Sequence, residues 1–195
     1  MEYSMVESRC DHEYQLLLRY IDQYGDELET RNHRVKSAID YQQIVFTETP
    51  LVTVRKTAWK KAIREMEWFL SGDPKCPEEL LDWWDGQLNE TGRYVCGYGQ
   101  QLRSYYSAGR FDQIEFLLKG LKEHTESRRL VVTPWNPLDM SRITEINRNN
   151  NTPTVCHGVV IQCSVRGGKL HMTHYQRSAD VLLGVPHNWC QYFSL

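Results

Sequence analysis

Cys156 and Arg177 are the two residues whose types and spacing most directly offer chemistry. They fall in two β-like runs, Val155–Val165 and Lys169–Ser178, joined by Arg166-Gly167-Gly168, a hairpin-type turn signal. Side chains alternate across a strand. Cys156 is therefore expected to share a face with Gly158, Val160 and Gln162, while His157 points away with Val155, Val159 and Ile161. On the second run Arg177 falls with Thr173 and Tyr175, opposite Gln176 and Ser178. A fixed positive charge lowers a thiol pKa, so a cysteine on one strand beside an arginine on its neighbour can be held as a thiolate nucleophile. A hydrolase dyad of Cys156 and His157 is excluded, because adjacent strand residues face opposite ways. A zinc site at His171-Met172-Thr173-His174 fails for the same reason, and no cysteine spacing supports one.

The elements that must position this pair read as alternating helices and strands. Helices are expected at Asp11–Tyr24 (Leu16, Leu17, Tyr20 and Ile21 on one face), Ala58–Leu70, Pro77–Trp84, Phe111–His124 and from Trp189 onward. In Ala58–Leu70 the buried face is expected to be Trp59, Ala62, Ile63, Met66, Phe69 and Leu70. Glu65 borders that face, so its carboxylate is expected to be partly desolvated and suited to proton traffic. In Phe111–His124 the buried residues are Ile114, Leu117, Leu118 and Leu121. Ser37–Phe46 reads as a strand, and Arg128-Arg129 begin another. Glu27–Lys36, with Arg31 and Arg34, reads as a charged loop that is either solvated or anion-binding, and Arg142–Thr154 as an exposed asparagine-rich loop.

Composition narrows the class. At 195 residues the chain fits one domain, 1–195, with enough bulk for a substantial core. A formal net charge of -2 argues against a nucleic-acid-binding default. No apolar run approaches the roughly 18 residues of a membrane span, and the N-terminus lacks a signal-peptide pattern. The 6 cysteines are expected as free thiols in a reducing, cytoplasmic setting.

The string Tyr175–Asn188, Tyr-Gln-Arg-Ser-Ala-Asp-Val-Leu-Leu-Gly-Val-Pro-His-Asn, following Cys156-His157, resembles the signature of the thymidylate synthase family. Glu65-Met-Glu-Trp-Phe-Leu-Ser-Gly, Gly97-Tyr98-Gly99 and Ser127-Arg128-Arg129 followed by Trp135-Asn136-Pro137 are similar to further motifs of that family. The resemblance implies an α+β fold, a mixed sheet with flanking helices, and a homodimer packed through the sheets. It implies that Cys156 adds to C6 of dUMP so that C5 can be alkylated, with 5,10-methylenetetrahydrofolate as the one-carbon donor. Arg177 would lower the thiol pKa and touch phosphate. Arg31, Ser178 and Gln176 would contact the nucleotide, and Arg128 and Arg129 would reach the phosphate bound by the partner subunit. Asn188 would read uracil O4 and N3–H with its amide, which disfavours a cytidylate hydroxymethylase. Glu65, Tyr98 and His157 would serve proton traffic around O4, His157 being alternatively a core histidine. Trp84, Asp180 and Gly184 would face the folate.

The departures from the family pattern lie mostly on the folate side: Asp73-Pro74-Lys75 where Asp-Thr-Asn is usual, and Trp189-Cys190 where Ile-Ala is usual. Thymidylate forms when the folate also donates hydride; hydroxymethyl-dUMP forms when water captures the methylene. A dUMP hydroxymethylase of phage type is therefore the alternative reading, and an inactive nucleotide-binding relative the third. Family members continue past Leu195, so the resemblance implies that the C-terminal part of the fold is missing here.

Overall fold

The computed structural model describes residues 8–30, 34–39, 41–94, 97–107, 109–139 and 156–195. The chain divides into two compact units, Met1–Ala62 with Asp180–Leu195, and Ile63–Ala179. No helix among the described residues is long and apolar enough to cross a membrane.

The first unit is built on helix α1 (Arg9–Tyr24), capped by Ser8, whose hydroxyl accepts the Asp11 N–H. Cys10, Tyr14, Leu17 and Leu18 form the stripe that meets Val52, Phe46, Val181, Val185 and Trp189. This stripe is rotated from the expected Leu16, Leu17, Tyr20 and Ile21, since Tyr20 packs instead on Tyr24 and Tyr41. Asp11 fixes the helix to an irregular segment: its carboxylate accepts from the backbone N–H of Thr53 (2.6 Å) and of Val54 (3.1 Å).

Residues expected as a loop after α1 instead form a hairpin, β1 (Asp26–Glu29) and β2 (Arg34–Ser37). Its register sets Glu27 opposite Lys36 and Glu29 opposite Arg34, so cross-strand charges attract. The strand expected at Ser37–Phe46 is absent among the described residues past Ser37. Arg31 lies outside the described residues, as does the expected loop Arg142–Thr154.

Helix α2 (Trp59–Ser71) buries Ala62, Met66, Trp68 and Phe69. Trp59, expected on that face, is 42% exposed at the helix start. The indole N–H of Trp68 donates to the Asp73 carbonyl at 2.7 Å. Gly72, at φ 74, ends the helix in the left-handed region. A Cβ there would also lie 2.9 Å from the Arg103 side chain.

A 3-10 turn (Glu78–Leu80) leads into the short α3 (Leu81–Trp84), and α4 spans Tyr98–Arg103. The hairpin β3 (Tyr105–Ser107) and β4 (Gly109–Phe111) precedes α5 (Gln113–Glu123), which Asp112 caps. Ile114 and Leu117 are buried there, whereas Leu118 is exposed, a correction to its expected face.

The sheet of the second unit runs β5 (Val131–Val132), β6 (Gly158–Arg166), β7 (Lys169–Gln176), all antiparallel. Gly167 and Gly168 both have positive φ (57° and 72°), as a two-residue turn matched to strand twist requires. Helix α6 (Val185–Phe193), with Pro186 in its first turn, lies in the first unit near the end of the chain.

Candidate active site

Strict alternation does not survive at the start of β6. Gly158 pairs with Gln176, but Val160 pairs with Tyr175, so Val159 is a bulged extra residue. The buried residues accordingly change parity, from Cys156 and Gly158 before the bulge to Ile161 and Cys163 after it. Cys156 and His157 precede the strand and Arg177 follows β7, so the expectation that Cys156 shares a strand face with Val160 and Gln162 is corrected. The two ends of the hairpin are nevertheless joined, because the Arg177 N–H donates to the His157 carbonyl at 2.9 Å. The hairpin brings Arg177 alongside the dipeptide that contains the buried Cys156.

Tyr98, at the first turn of α4, closes the corner from the other side. Its hydroxyl accepts the His157 backbone N–H at 2.9 Å and lies 2.8 Å from His157 Nδ1. The Tyr98 hydroxyl and Nδ1 therefore share one hydrogen bond, whose donor is set by the ring tautomer. Burial and then the Arg177 charge push the His157 pKa down to about 4, so the ring is neutral at physiological pH.

Glu65 and Phe69 stand one turn apart on α2, hence on one face. Phe69 stacks on Tyr98 with centroids 4.5 Å apart. The Trp84 indole N–H donates to Glu65 Oε1 at 2.5 Å. Trp84 is buried edge-on against Trp68 and Phe69 and tilted on Tyr94, so it reaches Glu65 through its N–H and offers no exposed ring face. One aromatic cluster thus connects the Glu65 carboxylate to Tyr98 and His157.

The remaining described cysteines are ordinary buried thiols. Burial, followed by Asp11 and Cys190, pushes Cys10 up to about 12, and burial followed by nearby carboxylates pushes Cys76 up to about 11. Burial raises Cys163 and Cys190 as well.

A family model described as thymidylate synthase matches residues 12–195. The chain belongs to the thymidylate synthase family. Among solved structures it is similar to thermostable thymidylate synthase A from Bacillus subtilis, at 27% identity and a TM-score of 0.75, over 95% of this chain and 70% of that one. The fold is that of the thymidylate synthases, as the Tyr175–Asn188 string implied.

Within this thymidylate synthase fold the other expected site residues form two further groups. Arg128 and Arg129 are exposed just before β5, and the Arg129 N–H is fixed by Ser127 Oγ. Gln176 is half-buried opposite Gly158, and Ser178 is exposed. In the first unit, Asp180 Oδ1 accepts from the N–H groups of Leu182 and Leu183, and its carbonyl accepts from Gly184 and Val185. Gly184 in turn accepts the Asn188 N–H at 2.9 Å, and a Cβ on Gly184 would lie 3.2 Å from Asn188 Oδ1. The Asn188 amide donates to Gln191 Oε1 at 3.3 Å. Trp189 and Cys190, counted in the sequence among folate-side departures, belong to the core of the first unit: Trp189 packs on Phe46 and Tyr14.

Sequence reading missed Trp135, over whose ring the Arg177 guanidinium lies. The Trp-Asn-Pro motif marked the residue but gave no partner for it. The Asp11 clasp was also missed, since its partners are 42 residues away in sequence.

Proposed function

We propose that the chain catalyses reductive methylation of dUMP to dTMP with 5,10-methylenetetrahydrofolate as co-substrate. The observation that carries this reading is the corner at Cys156, held by the Tyr98–His157 pair on one side and by Arg177 on the other.

The Cys156 thiolate would add to C6 of the uracil, which makes C5 nucleophilic, an instance of covalent catalysis. Arg177 would favour the thiolate and contact the phosphate with its donor fork. Asn188 would accept N3–H and donate to O4, held by its bond to Gln191 and by the Asp180–Gly184 turn beneath it. Glu65 would move the proton at O4 and C5 through ordered water, with Tyr98 and neutral His157 completing the relay.

The folate supplies a one-carbon unit and, for methylation, a hydride. With Oδ1 taken by the Leu182 and Leu183 N–H groups, the exposed Asp180 carboxylate keeps Oδ2 to accept from the N–H groups of a pterin, so this residue fits that group. Trp84 would act there through Glu65 rather than as a stacking platform. Arg128 and Arg129, exposed in the single chain, would serve the phosphate in a second copy, so the working form would be a homodimer. Arg31 keeps its proposed place on the phosphate.

The alternative, hydroxymethylation of dUMP, rests on Asp73-Pro74-Lys75 alone once Trp189 and Cys190 are counted as core. Incubating the chain with dUMP and methylenetetrahydrofolate and weighing the nucleotide separates the two. A methyl gain with dihydrofolate release supports the synthase; a hydroxymethyl gain with tetrahydrofolate release supports the alternative. Cys156→Ser should abolish turnover, by about a thousandfold or more, while retaining dUMP binding. Tight dUMP binding without product in the wild-type chain would instead identify a binding-only relative.

A further inference from the structure

The Cys156 corner includes an aromatic residue with no part in the roles above. The Arg177 guanidinium carbon lies over the Trp135 ring, 4.6 Å from its centroid. Arg177 itself is exposed, and among the described residues it forms no ion pair with a carboxylate. Its backbone is fixed by the bond to the His157 carbonyl, but that leaves the long side chain free to rotate.

Trp135 is well anchored for holding such a side chain. Thr133 Oγ1 lies 2.7 Å from the carbonyl of the bulge residue Val159 and 3.3 Å from that of Trp135, so one hydroxyl ties the segment to β6. Asn136, next in sequence and buried, donates to Gln101 Oε1 at 3.4 Å and accepts the Leu138 N–H.

We propose that Trp135 is a positioning residue for Arg177: it holds the guanidinium over its indole face, beside Cys156, with the donor edge available to an anionic substrate. The inference rests on the proposed reading of Cys156 as nucleophile and Arg177 as its cationic neighbour. A π face attracts a cation without consuming its hydrogen-bond donors, and indole does so better than any other side-chain ring. The arrangement narrows the rotamers of Arg177 before substrate arrives, which reduces the ordering that binding must impose.

The test follows alkylation of Cys156 by iodoacetamide across pH, mapped to its peptide by mass spectrometry so that the other cysteines do not contribute. Alongside it, the KM for dUMP is measured. Wild-type Cys156 should react with a midpoint below that of an ordinary thiol and be protected by dUMP. Trp135→Leu should raise the midpoint and raise KM roughly tenfold with a smaller change in kcat, and Trp135→Phe should fall between the two. In an Arg177→Gln background, Trp135→Leu should add no further shift.

A wild-type midpoint retained in Trp135→Leu overturns the inference and leaves the functional reading intact. So does a full Trp135→Leu shift in the Arg177→Gln background, because the ring would then act through packing alone. An ordinary midpoint in the wild type, with no protection by dUMP, overturns the functional reading and this inference with it. If Trp135→Leu fails to fold, Trp135→Phe decides by the same readouts.

Discussion

Asp11, buried, and His157, half-buried, are polar residues held by backbone groups and hydroxyls, one in each compact unit, yet their surroundings prepare them for different work. The Asp11 carboxylate accepts from Thr53 N–H, Val54 N–H, Thr53 Oγ1 and Ser8 Oγ. Burial alone would raise its pKa, but these donors together outweigh burial and hold it below the ordinary carboxylate value. A carboxylate so fully engaged as an anion is a poor base, and its work is to fasten α1 to the 53–54 segment. His157 is the reverse case. Its ring is kept neutral, its backbone is pinned at both ends, and its Nδ1 is hydrogen-bonded to the Tyr98 hydroxyl. Saturation makes a clasp, whereas a neutral, oriented ring beside a cation makes a group that can relay a proton.

Within this comparison the largest expected effect tests whether Glu65 belongs with the relay or with the clasp. Glu65→Gln keeps an oxygen to accept the Trp84 indole N–H, so packing and thermal stability should hold. It removes the titrating carboxylate, so kcat should fall by about a hundredfold or more, with KM for dUMP little changed. Steady-state kinetics beside a melting curve decides the matter. Unchanged kcat would assign Glu65 to holding Trp84 and nothing more.

The next effect separates the two regions by pH. His157 and His174 are both pushed down to about 4, His157 by burial and then Arg177, His174 by burial and then His157. Their ordinary value is 6.5, so the unfolded chain binds these protons first. The stability they confer is complete above pH 6.5 and is lost as pH falls toward 4, by up to about 3 kcal/mol for each. Urea unfolding across that window should show the loss, and His174→Phe should flatten it. Constant stability from neutral pH to 4.5 would mean that the rings are more hydrated in solution than here.

Much of this architecture was legible in the sequence, and the misses have physical causes. The β6–β7 hairpin was readable because Gly-Gly is one of the few pairs that suit two successive positive φ values, and α2 was readable from its 3.6-residue stripe. The parity change at Val159 was not, because a bulge is a property of two strands together and leaves no mark on one. Periodicity also identifies an apolar face without saying how far its cover extends, which is why Trp59 and Leu118 were misplaced. The chemistry of the site was read from motif strings. Its connections, Trp84 to Glu65, Tyr98 to His157 and Trp135 to Arg177, join residues between 19 and 59 positions apart and needed coordinates.

The smallest effect lies at the clasp and completes the comparison. Asp11→Ala removes the buried carboxylate that accepts the N–H groups of the exposed Thr53 and Val54, and losing these charge-assisted bonds costs about 2 kcal/mol. Because the folded pKa of Asp11 is depressed, its contribution is present above its ordinary value of 3.8 and fades only as pH falls through the lower folded value. The loss in Asp11→Ala should therefore be constant from pH 8 to pH 5, where the histidine limb already bends. Unfolding curves at those two pH values would give parallel shifts in midpoint, with kcat per folded molecule unchanged. A loss in Asp11→Ala that grew between pH 5 and pH 8, or a fall in kcat at full folding, would mean that the carboxylate at the start of α1 is coupled to the chemistry, and that saturation by donors is not enough to mark a residue as structural.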